Sequence, residues 1–411
     1  MSERTSSGGR PPAIAAVASL IAVGFTGSVI VTPLYTLYQR EFDFSEITLT
    51  LIFAVYVVGN VAALLLFGQI SDQVGRKRVA LPALGLAAVS ALLFLVADGI
   101  AWLFAGRLLF GLAVGIISGT GTAWLAEQFG EERRPRATLT TTTANFCGLA
   151  LGPLLGGLLA EYVRWPLKLP FIVYEALILA VAVAVALVPE PRDERIDRLG
   201  DLRWRLRVGV PRELLRAFAS PAVTGFVIFA LGGLYFALIP GILIRDLHQR
   251  NLAVAGLIVF EVALVGVVFI LVSSRLRPAA AMVAGLAVLV PGVALIAAAQ
   301  AAASLTLLVL ATAVAGVAWG FAYRGSLQVV NEIAPDDHRA ETVSTFYIAC
   351  FAGNSLPVIG IGVLSTVTSA LTAGITFAAV IAGLSIAALL WHRAAVRRER
   401  RPCRTSGVST A

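Results

Sequence analysis

Charge is the first shortage. Only 14% of the 411 residues are Asp, Glu, Lys or Arg, where a soluble domain carries about a quarter. With 58% hydrophobic residues and a mean hydropathy of +0.87, the chain lacks the polar surface to cover a water-soluble globule, so lipid has to be the solvent for much of it. Cysteine is scarce as well. Cys147, Cys350 and Cys403 have no spacing suited to a disulfide framework or a metal site, and two of them lie inside apolar segments, where the expected role is that of a small core residue. A phosphate-cradling loop of the Walker type is missing, and so is any nucleophile–base pairing, which argues against ATP drive, enzymatic chemistry and a bound cofactor. The apolar runs do not alternate with polar residues as the strands of a membrane barrel do. A cleavable leader is not expected either: the first apolar run extends from about Ile14 to Tyr38, longer than the roughly 7–15-residue core of a signal peptide.

What the chain has in quantity is long apolar runs. A helix needs about 20 apolar residues to cross the hydrocarbon, and twelve stretches qualify: 14–38, 47–70, 79–98, 101–126, 138–162, 170–189, 218–244, 252–273, 279–299, 304–330, 342–367 and 372–392. The fold class implied is an all-α membrane protein. Its 38 glycines suit close helix approach where no hydrophobic effect drives helices together. The net charge of +8 is not one nucleic-acid-binding patch, because the basic residues fall in short runs between apolar segments. With the N-terminus in the cytoplasm, 25 of the 32 Lys and Arg residues lie in inner segments and 5 in outer loops, leaving Arg107 and Arg324 within helices. That asymmetry predicts a multi-pass protein of the inner membrane with both termini cytoplasmic. The organisation expected is an N-terminal tail 1–13, a first bundle 14–189, a charged linker 190–217, a second bundle 218–392 and a basic tail 393–411. The linker, with Trp204 among arginines, reads as an amphipathic stretch on the cytoplasmic face.

The two halves repeat. A shift of 205 residues places Gly111 and Gly115 on Gly316 and Gly320, Glu127 on Glu332, Glu131 and Glu132 on Asp336 and Asp337, and Arg134 on Arg339. With one residue of slip, Pro153 meets Pro357. Two parallel six-helix halves around a shared site is an architecture for alternating access.

Between the second and third apolar runs the chain reads Gly68-Gln-Ile-Ser-Asp72-Gln-Val-Gly75-Arg76-Lys77-Arg78. This resembles the G-x-x-x-D-(R/K)-x-G-R-(R/K) loop of the major facilitator superfamily, with Gln73 where a basic residue is usual. The resemblance implies a conformational latch made of this loop and an acid at the end of helix 4, for which Glu127 is placed. Arg107, followed four residues later by Gly111, resembles a second family motif associated with proton coupling. Such a buried charge costs on the order of 2.5–3.5 kcal/mol to insert and needs a carboxylate, a carbonyl or water as partner. Gly148, Gly152, Pro153, Gly156 and Gly157 resemble the G-x-x-x-G-P-x-x-G-G element of the twelve-helix drug/proton antiporter branch, although an upstream glycine of that pattern is replaced by Leu139. Proline should kink helix 5, and the glycines should let it approach a helix of the other half.

A proton-driven carrier needs a carboxyl that changes protonation inside the protein. Glu261 and then Glu175 are the candidates within the spans, each of which could instead pair with an arginine such as Arg324. The family's acid in helix 1 is missing before Glu41. The family fold would line a central cavity with polar and aromatic residues drawn from Tyr35, Asn60, Asn145, Tyr235, Trp319, Tyr323, Arg324 and Asn354. So few charges suit a hydrophobic or amphipathic compound. The function implied is proton-coupled efflux of such a small molecule by a monomer in the lipid bilayer, with the proton gradient as driving force and no nucleic-acid partner. An uptake symporter and a non-transporting sensor or scaffold are the competing expectations.

Overall fold

The computed structural model describes residues 11–67, 70–190, 208–335 and 337–399. Among them stand twelve helices long and apolar enough to cross a membrane: α1 Pro11–Phe42, α2 Glu46–Leu66, α3 Arg76–Leu95, α4 Ile100–Phe129, α5 Arg136–Tyr162, α6 Leu169–Leu187, α7 Arg212–Arg245, α8 Leu252–Ser273, α9 Pro278–Ala301, α10 Leu305–Ile333, α11 Glu341–Val367 and α12 Ala370–Ala394. In lipid, only internal hydrogen bonding can satisfy the backbone, so uninterrupted apolar runs become helices.

Prolines decide where the regularity fails. α1 is helical from Pro11 to Ile30, tightens into a 3₁₀ turn at Thr32–Leu34 and resumes at Tyr35. Pro33 has no N–H for the ladder, and its ring crowds the carbonyl four residues back. α7 widens into a π-turn over Leu234–Leu238, just before Pro240. By contrast, α5 and α11 run unbroken through Pro153 and Pro357. The last helix continues to Glu399, so the start of the basic tail prolongs it.

The repeat is visible in the packing. α2 lies on α4 as α8 lies on α10, α1 on α5 as α7 on α11, and α3 on α6 as α9 on α12. The glycines of the repeat serve the same contact twice. A Cβ at Gly115 would stand 2.8 Å from the carbonyl oxygen of Asn60 in α2, and one at Gly320 2.5 Å from that of Gly266 in α8. Across the halves, α5 packs on α8 and α2 on α11.

Several expectations fall outside the described residues: Gly68, the linker from 191 to 207 with Trp204, Asp336, Cys403 and both chain ends. Of the two cysteines that are described, Cys350 is buried beside Phe346, as expected for a core residue. Cys147 is exposed on α5 and is not a core residue.

Candidate functional site

At one end of the molecule the loop 70–78 assembles a charged cluster. Gly75 adopts φ +113°, closed to most side chains, and turns the chain from the short helix Ile70–Val74 into α3. That turn directs Arg76 inward, where its side chain is only 4% exposed. Its guanidinium pairs with Asp72 at 2.5 Å and Glu127 at 2.8 Å and donates to the hydroxyl of Ser71 at 2.7 Å. Lys77 reaches the carbonyl of Ala186 at 2.8 Å, while Arg78 is exposed. A further participant is Glu190. The backbone N–H groups of Arg76 and Lys77 donate to its two carboxylate oxygens at 2.7 and 3.1 Å. A carboxylate there satisfies two orphan donors of α3 and complements the helix dipole. Sequence reasoning counted Glu190 as the first linker residue; only the adjacency of α6 and α3 reveals its role.

Arg107 is 1% exposed, which excludes snorkelling to the surface. No carboxylate among the described residues pairs with it. Its guanidinium donates to the carbonyl of Ser28 at 2.5 Å and lies 4.6 Å from the ring centre of Tyr56, with Phe53 at 5.5 Å and Tyr35 at 6.0 Å. The Pro33 break explains the arrangement. Ser28 is among the last carbonyls of the first helical segment of α1, where acceptors lack partners and a cation complements the dipole. In the second half the repeat puts Thr312 at this place, hydrogen-bonded by the hydroxyl of Tyr235 at 3.0 Å.

The two candidate acids do not meet at the interface between the halves. Glu175 lies on α6, its Oε1 enclosed and without a hydrogen-bond partner among the described residues. Glu261 lies in a groove between α8 and α10. Neither pairs with Arg324, whose guanidinium donates to the carbonyl of Ser273 at the end of α8 at 2.6 Å.

Of the eight residues expected to line a cavity, three converge. Trp319 and Tyr323 of α10 meet Phe146 of α5 with ring centres at 5.8 and 5.9 Å, the contact that joins the halves at mid-depth. Asn354 of α11 approaches the same place, near Gly232 and Trp319. Phe236, Phe229 and Phe351 extend this aromatic cluster. Tyr35, Asn60 and Tyr235 are instead buried within their own bundles, Asn60 donating to the hydroxyl of Tyr56 at 3.2 Å. Asn145 is half-buried on α5, and Arg324 is committed to α8. The phenylalanines were not legible beforehand, because one Phe in an apolar helix looks like any other. Beside the cluster, α2 and α11 enclose a cavity of about 50 Å³ lined by residues including Val61, Leu65, Ser344 and Tyr347.

The end opposite Arg76 is tied shut across the halves. Both terminal nitrogens of Arg245 bond the carboxylate of Glu46. The N–H of Leu252 donates to Glu161 at 2.8 Å.

A sequence profile of the Major Facilitator Superfamily matches residues 17–358. The chain belongs to the Major Facilitator Superfamily. It is similar to the chloramphenicol resistance protein CraA of Acinetobacter baumannii, 27% identical over 34% of each chain. To the multidrug resistance protein MdtL of Escherichia coli it is 30% identical over 30% of this chain and 32% of that one. The matches thus span about a third of the length of these relatives. A bacterial homologue of the human lysosomal transporter Spinster, in an inward-facing and unoccupied conformation, shares the fold with a TM-score of 0.67 at 15% identity, covering 95% of this chain and 96% of that one.

Within this superfamily member, the helix 5 glycines need a correction. Gly148, Gly152 and Gly156 face the carbonyls of Ala22, Thr26 and Ile30 in α1, inside the same half. Residues four apart share one helix face, and that face is turned to α1. Only Gly157, about 100° further round, meets α8 of the other half, at Leu252 and Gly256.

Proposed function

We propose that this chain is a secondary transporter that exports a small hydrophobic or amphipathic compound by alternating access, driven by the proton gradient. The Arg76 end then lies on the cytoplasmic side of the inner membrane, with both termini there, and the chain works as a monomer. One observation carries the reading: two repeated six-helix halves touch along α5–α8 and α2–α11, are tied by polar contacts at the Glu46 end, and hold a charged cluster at the other end. Rocking about the mid-depth contact exchanges one closed end for the other. Asp72, Gly75, Arg76, Lys77, Arg78 and Glu127 form the latch, supported by Glu190. Trp319, Tyr323, Phe146 and Asn354 form the wall a substrate meets, and an apolar, aromatic wall suits an apolar body. The names of the drug-resistance relatives support export. Glu261 and Glu175 are the groups proposed to carry the coupling proton, with Arg107 holding the α1 break against α4.

The test is flux into proteoliposomes under an imposed pH gradient, over a compound library, beside accumulation in cells lacking the protein. Gradient-driven flux that is lost in Glu261→Gln or Glu175→Gln, with counterflow retained, is expected. Unchanged accumulation on deletion would sink the export reading. Unaltered function in both Asp72→Asn and Glu261→Gln would instead support a non-transporting role.

A further inference from the structure

At the Arg76 end, Arg76 and Lys77 are held by Asp72, Glu127 and the carbonyl of Ala186. A second basic group there is not held. α3 begins at this end, so with alternating helices α7 begins and α12 finishes there as well. Two hydrogen bonds stitch those two helices together. The hydroxyl of Ser220 donates to the carbonyl of Ala388 at 3.3 Å. One turn further out, the indole N–H of Trp391 donates to the carbonyl of Arg216 at 3.1 Å, joining residues 175 apart in the chain. That contact brings Arg212 and Arg216 of α7 beside Arg393 of α12.

All three arginines are exposed, and none makes an ion pair among the described residues. Glu213 follows Arg212 directly and so lies about a third of a turn away around α7. One turn toward the membrane interior, each helix carries an exposed leucine. Leu215 stands three residues after Arg212 and is 50% exposed; Leu390 stands three before Arg393 and is 60% exposed. Residues three apart share a helix face. Trp391 is itself exposed, with its polar N–H spent on α7, a placement that suits the boundary between headgroups and hydrocarbon. Uncompensated positive charge selects an anion. The apolar surface directly beneath it requires that the anion carry hydrocarbon, since a free phosphate would leave the indole and the leucines uncovered.

We infer that the surface where α7 and α12 meet binds an anionic phospholipid. Its phosphate diester lies among Arg212, Arg216 and Arg393, and its acyl chains run along Trp391, Leu215 and Leu390. Guanidinium groups suit this headgroup, because their N–H fork bonds two phosphate oxygens at once. Both helices belong to the second half, so binding requires no transport and stands or falls independently of the export reading.

The experiment is native mass spectrometry of the full chain in detergent, titrated with cardiolipin. One adduct that saturates ahead of any others is expected. The double variant Arg212→Gln, Arg216→Gln should weaken it about 25-fold, at about fivefold for each arginine near a membrane surface. Arg393→Gln, on the other helix, should weaken it about fivefold and keeps the test open if the double variant does not fold. A control, Arg275→Gln with Arg277→Gln, removes as much charge from the exposed turn between α8 and α9 and should leave the adduct unchanged. Wild-type affinity in both the α7 and the α12 variants would overturn the proposal. So would equal weakening in the control, which would show that net charge alone draws the lipid. Equal binding of phosphatidylcholine with the same acyl chains would do the same. Full displacement by millimolar inorganic phosphate would also overturn it, by assigning the arginines to a free anion.

Discussion

Glu46→Gln should loosen the closed end of the molecule. The glutamate sits in the first turn of α2 and binds both terminal nitrogens of Arg245 from the other half. Side-chain exposures of 16% for Glu46 and 40% for Arg245 place the pair halfway into water. Fully exposed pairs contribute about 0.2–1 kcal/mol, whereas breaking a buried one costs about 3–5 kcal/mol. With two parallel bonds but one partner well solvated, about 1 kcal/mol is a fair discounted value. That corresponds to about a fivefold shift toward conformers open at this end. The contact from Leu252 to Glu161 remains, so complete opening is not expected. The assay is double electron–electron resonance between nitroxides at Glu41 and Arg250, in a background without native cysteines. The long-distance population should rise about fivefold in Glu46→Gln, and no further when Arg245→Gln is added, because the two share one interaction. High salt should move the wild type the same way. An unchanged distance distribution in both single variants would refute the idea that this pair holds the halves together.

Arg107→Lys keeps the charge but loses the planar group that lies against Tyr56 and reaches Ser28. A loss of about 1–2 kcal/mol in stability is expected, read as a lower melting temperature in detergent; equal melting would contradict the account. Gly157→Val should disfavour the state closed at the Glu46 end, because a Cβ there meets the backbone of Leu252, while Gly85→Ala meets nothing within 4 Å and should be neutral or mildly stabilising. Cross-half distances together with melting curves separate these two outcomes. His338, at the start of α11, should titrate above the usual 6.5, because its ring hydrogen-bonds Glu341 and faces Asp337. A raised folded value means this contribution is present at low pH and fades as pH rises through the folded pKa. Histidine NMR should show the midpoint falling in Glu341→Gln.

Twelve helices, their duplication and the pairing of the loop at 70–78 with Glu127 were all legible in the sequence. Each depends on a local rule: an apolar run of sufficient length, a fixed offset, or a turn that needs Gly75. The break of α1 at Pro33 follows from a local rule too, but the run 14–38 reads in the sequence as one continuous helix. Tertiary structure alone decided what the buried groups touch. Glu190 caps α3 because α6 lies beside it, Arg107 is satisfied by a carbonyl rather than a carboxylate, and the glycines of α5 face α1. Glu261 looked central because it is central along its helix, yet depth along a helix is fixed by position in the sequence while direction around the axis is not. A helix that is apolar on every side carries no sign of which face meets protein and which meets lipid, and that choice is made only when the neighbouring helices pack.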